Sequence, residues 1–189
     1  MNVATANAHH FDLATLQAGV DEIRSSPKDE GRIVMICRRP ETAQREVVDE
    51  AVLDTEQGLV GDNWRARGSK ATDDGSAHPL MQLTLMNARS VALIAGDSER
   101  RQLAGDQFFV DFDLSVQNIP PGTRLKLGKA TVEITEIPHR GCGKFSSRFG
   151  VDALKFVNSE VGRELNLRGV NARIIEGGVV RAGDPIAKL

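Results

Sequence analysis

The feature that most constrains the fold is a succession of short apolar segments separated by turns that contain glycine or proline. The clearest pair spans residues 123–127 and 130–137 and is joined by Gly128-Lys129. In the second arm, polar residues alternate with Val132 and Ile134, which is the period expected of a strand with one buried face. This pattern predicts a β-hairpin. Similar strand-like segments recur along the chain, at residues 32–37, 46–52, 80–85, 108–110, 171–175 and 179–181.

Seven or so short strands with regular turns and few helices predict a mainly β fold, either a barrel or another closed sheet. Helical spacing is limited to three segments, at residues 12–25, 87–95 and 151–158. The first of these, with Asp12 as its N-cap, is expected to form an N-terminal extension of the main domain. The first ten residues are small and polar, and we expect them to be disordered.

One long segment, residues 58–78, is polar, rich in glycine and without either periodicity. Structureless stretches of about 20 residues are uncommon inside a domain and are often functional lids or binding loops. The alternative is a surface insertion without function. Composition alone leaves the two alternatives open.

Charge and composition exclude several classes of partner. The 189-residue chain has 24 Lys plus Arg against 26 Asp plus Glu, which leaves a net charge of −2. A binder of duplex DNA is expected to carry a basic footprint, which is missing here. The chain has no Tyr and one Trp, so it offers few aromatic platforms for single-stranded nucleic acid.

The N-terminal residues show no basic segment followed by an apolar one, and no apolar run reaches 18 residues. We therefore expect a cytoplasmic protein with no membrane segment, in which both cysteines are reduced. Cys37 follows the apolar run 33–36 and is expected to lie in the core, whereas Cys142 lies in a different environment.

The segment 138–145, Pro-His-Arg-Gly-Cys-Gly-Lys-Phe, carries the chemistry. No acidic residue occurs between Glu136 and Asp152, whereas Arg140, Lys144 and Arg148 are all basic. Cations close to a thiol favour its thiolate form. Glycines on both sides of Cys142 remove side-chain bulk, so that a large ligand could approach the sulfur. The composition fits a reactive or metal-binding thiolate with cations that hold an anionic ligand.

Three other interpretations of Cys142 remain open on these residues. It could be a buried, inert cysteine in a glycine-rich turn. It could form a zinc site with His139, although the chain has no C-x-x-C pair to complete four ligands. It could also act as a nucleophile paired with a histidine. No Walker-type phosphate loop and no G-x-G-x-x-G motif occurs.

An ordered series of motifs resembles the MOSC domain, the C-terminal domain family of molybdenum cofactor sulfurases. The resemblance spans about residues 31–189 and six elements in order. These elements are the G-x-x-G-D motif at 58–62, HPLMQLTLMNA at 78–88, GDQF at 105–108, the PPGTRL stretch within 114–128, the cysteine motif at 139–144, and GVNARIIEGGVVRAGD at 169–184.

The resemblance implies a distorted, mostly antiparallel β-barrel with a few short helices at residues 31–189, preceded by the extension at 1–30. It also implies a stand-alone protein that binds the molybdenum cofactor, molybdopterin. Cys142 matches the cysteine that ligates molybdenum or carries sulfur to it, and soft sulfur suits such a metal. Arg140, Lys144 and Arg148 would hold the pterin phosphate. The remaining candidate cofactor-binding residues, from the matched motifs, are Asp62, Gln107 and His139.

Some family members reduce N-hydroxylated compounds, which implies electrons from a flavoprotein or a ferredoxin. The candidate activities are therefore molybdenum-dependent oxidoreductase and sulfur transferase, and the oligomeric state is left open. Gln107 stands where the family usually has Asn, and Trp64 where it often has His or Arg. Trp64 is expected to cover the barrel mouth, with stacking on a pterin as the alternative. These departures leave two further possibilities, a non-catalytic module that binds an anion and a degenerate MOSC domain that acts through protein contacts.

Overall fold

A closed β-barrel of seven strands forms the centre of the structure, a computed structural model that describes residues 10–189. Around the barrel the order is β1–β11–β7–β8–β9–β5–β6 and back to β1, and only β5 and β6 run parallel. Strand β2 extends this sheet beside β1, and β10, β3 and β4 form a second, smaller sheet. The bounds in chain order are β1 Glu30–Arg38, β2 Glu46–Val48, β3 Glu50–Asp54, β4 Gly58–Leu59, β5 Leu83–Asn87, β6 Phe108–Asp111, β7 Arg124–Leu127, β8 Ala130–Ile134, β9 Val170–Glu176, β10 Gly178–Arg181 and β11 Pro185–Lys188.

The alternation of residue types along the strands explains which side chains enter the barrel. In the predicted hairpin, Leu125, Leu127 and Val132 are fully buried, whereas Arg124 is exposed on the other face. Gly128 has a φ of +52° in the turn, a conformation that glycine adopts without steric cost. The predicted mainly β, barrel-like fold is confirmed.

Helices cover one side of the barrel and enclose a second hydrophobic cluster. Strands β5 and β6 are buried on both faces, as is usual for parallel strands. Phe108 therefore points into the barrel, while Met86 and Phe109 pack against helical residues such as Phe156. The helical segments are α1 Leu13–Ala18, α2 Val20–Arg24, α3 Trp64–Arg67, α4 Ala88–Ala95, α5 Gly143–Phe149, α6 Val151–Asn158 and α7 Glu160–Glu164, with 3-10 turns at Pro79–Met81 and Ser98–Ala104. No helix of residues 10–189 is long and apolar enough to cross a membrane.

The predicted N-terminal helix at 12–25 is wrong as one element, because it divides at Gly19 into α1 and α2. Gly19 lies close to α4: a Cβ at this position would lie 2.6 Å from a methyl group of Leu93, whose side chain would have to shift. The predicted N-cap is confirmed, since the Asp12 carboxylate accepts a hydrogen bond from the Thr15 N–H. Leu16 is buried in the helical cluster of this same chain. Of the ten residues expected to be disordered, 1–9 lie outside the described residues.

Two other predicted elements differ in the structure. The single strand expected at 46–52 is two strands in different sheets, because the chain leaves the barrel edge at Asp49 after β2 and then pairs with β10. The strand expected at 80–85 begins only at Leu83, after the 3-10 turn. The segment 58–78 was expected to lack structure but contains β4 and α3, which bury Leu59 and Trp64.

Candidate functional site

A cavity of about 500 Å3 lies at one end of the barrel, where β1 and β8 end and β6 begins. Its walls come from segments far apart in sequence, including residues 39–45, 63–69, 104–105, 139–148 and 168–171. The segment 58–78 contributes Trp64, Arg67 and His78 to this wall. Its position supports the binding-loop interpretation over a surface insertion without function.

The cavity is strongly cationic. The acidic side chain in its wall is Glu41, whereas six basic side chains line it: Arg39, Arg45, Arg67, Lys144, Arg148 and Arg168. Within residues 10–189, Arg39 and Arg168 form ion pairs with carboxylates, and the other four cations do not. The unpaired cations would have to be balanced by solvent ions or by an anionic ligand.

Asp62 holds one of the paired arginines in place. Its buried carboxylate accepts hydrogen bonds from Arg39 Nε and Nη2 and from the Arg39 backbone N–H, each at 2.8 Å. It also accepts one from the backbone N–H of Trp64, at the start of α3. Asp62, a candidate cofactor-binding residue, therefore lies behind the cavity wall and orients Arg39 within it.

A second buried carboxylate, Asp106, lies between Arg168 and His139. Its Oδ2 is 2.6 Å from Arg168 Nη1, and its Oδ1 is 3.4 Å from His139 Nδ1. The guanidinium of Arg168 also stacks on the Phe145 ring, with Cζ 5.0 Å from the ring centroid. Burial, reinforced by the charge of Arg168 and opposed by Asp106, lowers the pKa of His139 to about 3. The imidazole is therefore neutral at pH 7.

Cys142 is exposed and lines the cavity from the N-cap position of α5. Its carbonyl oxygen accepts hydrogen bonds from the N–H groups of Phe145 and Ser146, which closes the first turn of the helix. The preceding residue is clamped, because the Asn158 side-chain amide bonds both the N–H and the carbonyl of Gly141. This clamped turn presents the thiol to the cavity, and the alternative of a buried cysteine is wrong, whereas the reactivity of Cys142 stays a prediction.

The structure brings together four of the seven predicted site residues. Cys142, His139, Lys144 and Arg148 line the cavity, whereas Arg140 is exposed and lies outside the lining. Gln107 is buried, and its amide oxygen accepts hydrogen bonds from the N–H and hydroxyl of Thr84. In this position Gln107 ties the start of β5 to the segment before β6.

Sequence reasoning missed several lining residues that are distant from the cysteine motif. Arg39 directly follows β1, Arg45 directly precedes β2, Arg67 ends α3, and Arg168 precedes β9. For Arg168, the available signal in the sequence was Asp106 in the Gly105-Asp106 pair. An acid that the fold buries implies a buried cationic partner. The pairing with Arg168 spans 62 positions, so local patterns did not reveal it.

Several polar atoms around the cavity are buried and have no hydrogen-bond partner among residues 10–189. They include Arg45 Nε, Arg168 Nε, Trp64 Nε1, Asn63 Oδ1 and Asn171 Oδ1. Leaving such groups unpaired costs stability, so donors and acceptors of this kind commonly meet a ligand or water. The mixture fits a polar ligand that has both hydrogen-bond donors and acceptors.

The indole of Trp64 is buried against Gly58, where a Cβ would lie 3.0 Å from its ring. Trp64 therefore forms part of the cavity wall, and the choice between covering the barrel mouth and stacking on a ligand stays a prediction. No group of three or more His, Cys, Asp or Glu residues within 10–189 is arranged to hold a metal ion. The side chains offer a metal one thiol rather than a complete ligand set, which disfavours the zinc alternative.

The chain is therefore a closed β-barrel protein with a cation-lined cavity and one exposed thiol in the cavity wall. The chain belongs to the MOSC domain family, whose family model matches residues 75–187, more than half of the sequence. This family is associated with binding of the molybdenum cofactor. The predicted family is therefore confirmed.

Solved structures of low sequence identity share the fold. YuaD from Bacillus subtilis is 15% identical, with a TM-score of 0.60 over 83% of this chain and 94% of that one. YiiM from Escherichia coli is 19% identical, with a TM-score of 0.54 over 84% of this chain and 69% of that one. No curated protein matches the sequence significantly.

Proposed function

We propose that the chain binds the molybdenum cofactor in this cavity and uses the Cys142 sulfur as a protein ligand to molybdenum. The observation that carries the proposal is the exposed Cys142 thiol in the wall of a cavity with four cations that have no carboxylate partner within residues 10–189. A soft sulfur ligand beside an anion-binding surface matches a cofactor that carries both a metal and a phosphate.

The chain's own residues would bind and orient this group. Lys144 and Arg148 provide positive charge for the anionic cofactor, and the buried carboxylates of Asp62 and Asp106 fix Arg39 and Arg168. His139 stays neutral and so adds no charge beside Arg168. When bound, the cofactor supplies a redox-active metal for exchange of oxygen or sulfur atoms. The proposed activity is reduction of N-hydroxylated compounds with electrons from a flavoprotein or a ferredoxin.

In a variant of this proposal, Cys142 carries sulfur instead of binding molybdenum. This role can be detected in protein that contains no metal. Exposure of the thiol favours it, because a carrier must deliver sulfur to a partner. Intact-mass analysis of the purified protein tests it. A carrier is expected to show an adduct of one sulfur atom that maps to Cys142 and disappears in Cys142→Ala.

Cofactor content tests the main proposal. Wild type, Cys142→Ala and the control Cys37→Ala are expressed in a host that makes molybdopterin, and bound molybdenum and oxidised pterin are measured. We expect near-stoichiometric molybdenum in wild type and in the control, and a loss of more than about tenfold in Cys142→Ala because the metal loses its protein ligand. Equal molybdenum in Cys142→Ala and wild type would contradict the role of this cysteine.

The unpaired cations also favour a second candidate, a non-catalytic module that binds an anionic small molecule. This module predicts anion affinity that survives Cys142→Ala but falls when a cation in the wall is removed. Absence of both metal and pterin, from a host that loads another molybdoenzyme, would favour the module or a degenerate domain that acts through protein contacts.

A further inference from the structure

We infer that Arg45 and Arg148 form a subsite for a phosphate monoester, in which their two guanidinium groups converge above Gly105. The phosphate would be that of the cofactor, and in this respect the inference rests on the proposed function. It assigns the phosphate end of the ligand to a residue outside the cysteine motif, Arg45, together with Arg148.

Gly105 allows the two side chains to converge. It has a φ of +88°, in the left-handed region that favours glycine. A Cβ at this position would lie 3.1 Å from Arg45 Nη2 and 3.6 Å from Arg148 Nη1. Both guanidinium groups therefore reach the same glycine, from the segment before β2 and from α5.

Each guanidinium is held by one backbone carbonyl and keeps other N–H groups available. Arg45 Nη1 donates to the carbonyl of Gln44 at 2.5 Å, and Arg148 Nη1 donates to that of Leu103 at 2.7 Å. Arg45 Nε is buried and has no partner within residues 10–189. Two pre-oriented planar donors that keep N–H groups without a protein partner match the oxygens of a phosphate group.

The charge at this point is not balanced by the protein. A third arginine, Arg39, donates to the carbonyl of Gly105, but Asp62 neutralises it. Arg45 and Arg148 form no ion pair within residues 10–189, and burial together with the charge of Arg148 lowers the pKa of Arg45. Two adjacent cations without an acid match the charge of about −1.5 to −2 on a phosphate monoester better than that of a carboxylate.

The subsite and the thiol lie at the two ends of one helix. Cys142 caps the start of α5, and Arg148 precedes its last residue. Six positions correspond to about 9 Å along a helix axis. One ligand that extends along α5 could therefore meet the sulfur at one end and both guanidinium groups at the other.

Phosphate binding to the cofactor-free protein tests the subsite. Inorganic phosphate is titrated calorimetrically at constant ionic strength into wild type, Arg45→Gln, Arg148→Gln and the matched control Arg67→Gln, which removes another unpaired cation of the same cavity. We expect losses of affinity above about tenfold for Arg45→Gln and Arg148→Gln, and below about threefold for Arg67→Gln. Similar losses in all three variants would overturn the subsite, because they would indicate only a diffuse positive field.

A charge-conserving variant and a second anion test the geometry and the charge preference of the subsite. Arg45→Lys retains the charge and should fold even where Arg45→Gln does not; we expect it to bind phosphate at least about threefold more weakly than wild type, because a point charge replaces a planar fork. Acetate at equal ionic strength should bind far more weakly than phosphate, and equal binding would contradict a preference for a dianion.

The cofactor-loaded protein distinguishes the source of the phosphate. If the subsite holds the cofactor's phosphate, loaded protein should bind no inorganic phosphate there. Unchanged phosphate affinity in protein that contains stoichiometric molybdenum would overturn this assignment. Failure of the proposed function is separate, since it appears as absent molybdenum and pterin, while the titration of cofactor-free protein remains valid.

Discussion

The two cysteines occupy opposite environments. Cys37 lies on β1 with its side chain fully buried in the helical cluster, and burial raises the pKa of its thiol to about 11. Cys142 is exposed in the cavity wall. At pH 8, a pKa of about 11 leaves about one Cys37 thiol in a thousand ionised. Burial and protonation both protect Cys37 from reagents that attack the thiolate.

Alkylation should therefore distinguish the two thiols. With iodoacetamide at pH 8, we expect one fast modification that peptide mapping assigns to Cys142, and a rate at Cys37 at least about a hundredfold lower until the protein is unfolded. Cys142→Ser should lack the fast modification, and unfolding in urea should restore reactivity at Cys37. Equal rates at both cysteines in the folded protein would show that Cys37 is not protected as described.

His139 makes the stability of the fold depend on pH. Its pKa is lowered from 6.5 to about 3 in the folded chain, mainly by burial and then by Arg168. Between these two values the unfolded imidazole binds a proton and the folded one does not. Lowering the pH through this range therefore favours the unfolded chain, and the stability is regained as the pH rises to about 6.5.

Replacing His139 with Asn should flatten this dependence. We expect wild type to lose up to about 3 kcal/mol more unfolding free energy than His139→Asn between pH 7 and pH 4. Urea unfolding of wild type and His139→Asn at several pH values measures both slopes. Equal pH dependence of the unfolding free energy in wild type and His139→Asn would contradict this prediction. It would mean that His139 has the same pKa in the folded and the unfolded chain.

At the scale of elements, the N-terminal helices belong to the same hydrophobic layer as the helix that carries Cys142. Leu16 and Ile23 from α1 and α2 are buried in one cluster with Phe145 and Phe149 from α5. The His10 side chain also contacts the carbonyl oxygen of Arg148 near the end of α5. The region before β1 thus supports the wall of the cavity.

Leu16→Ala should accordingly be as costly as a substitution in the barrel core. Leu16 is fully buried, so we expect a loss of about 2–5 kcal/mol in the free energy of unfolding. Denaturant unfolding gives the value, with the exposed Gln17→Ala as a control that should change it by less than about 0.5 kcal/mol. A loss below about 1 kcal/mol for Leu16→Ala would indicate that the N-terminal helices are only loosely attached.

Local patterns predicted some elements and missed others for identifiable reasons. The β7–β8 hairpin was predictable because alternation and turn residues lie within a few positions of each other. Helix α5 was missed because glycines surround its start, and its apolar signal is only Phe145 and Phe149, four residues apart. The break at Asp49 was missed because it depends on pairing with β10, far along the chain.

At the scale of the whole molecule, the barrel closes through β11, which lies between β1 and β7. Ile186 is fully buried in the barrel core, and β11 pairs antiparallel with both neighbours. Without β11, two strand edges and part of the core would be exposed. Unpaired edges are templates for association between chains.

Removal of residues 185–189 should therefore abolish cooperative unfolding and produce aggregates, because the barrel cannot close. Size-exclusion chromatography and thermal unfolding measure both effects. Deletion of Leu189 alone, which is mostly exposed, should leave a species of wild-type size and a clear unfolding transition. Ile186→Ala is a milder variant, which should lower the free energy of unfolding by about 2–5 kcal/mol. A truncated chain with the wild-type melting temperature would contradict the role of β11.

The site was predictable only where its residues lie together in the sequence. The cysteine motif supplied Cys142, His139, Lys144 and Arg148, all of which line the cavity. The arginines outside this motif enter the cavity only because the barrel brings the ends of different strands together. Their ion pairs depend on the fold, so residue types alone did not distinguish the neutralised Arg39 from the unpaired Arg45.

The division of the cavity's arginines into paired and unpaired groups also has a kinetic consequence. Asp62 and Asp106 neutralise Arg39 and Arg168, so these two arginines add little to the electrostatic potential outside the cavity. The four unpaired cations do contribute to this potential and attract anions before they make contact. Screening by salt acts over about 8 Å at physiological ionic strength. The rate of ligand capture should therefore fall steeply as salt is added, while the dissociation rate, governed by contacts inside the cavity, changes little.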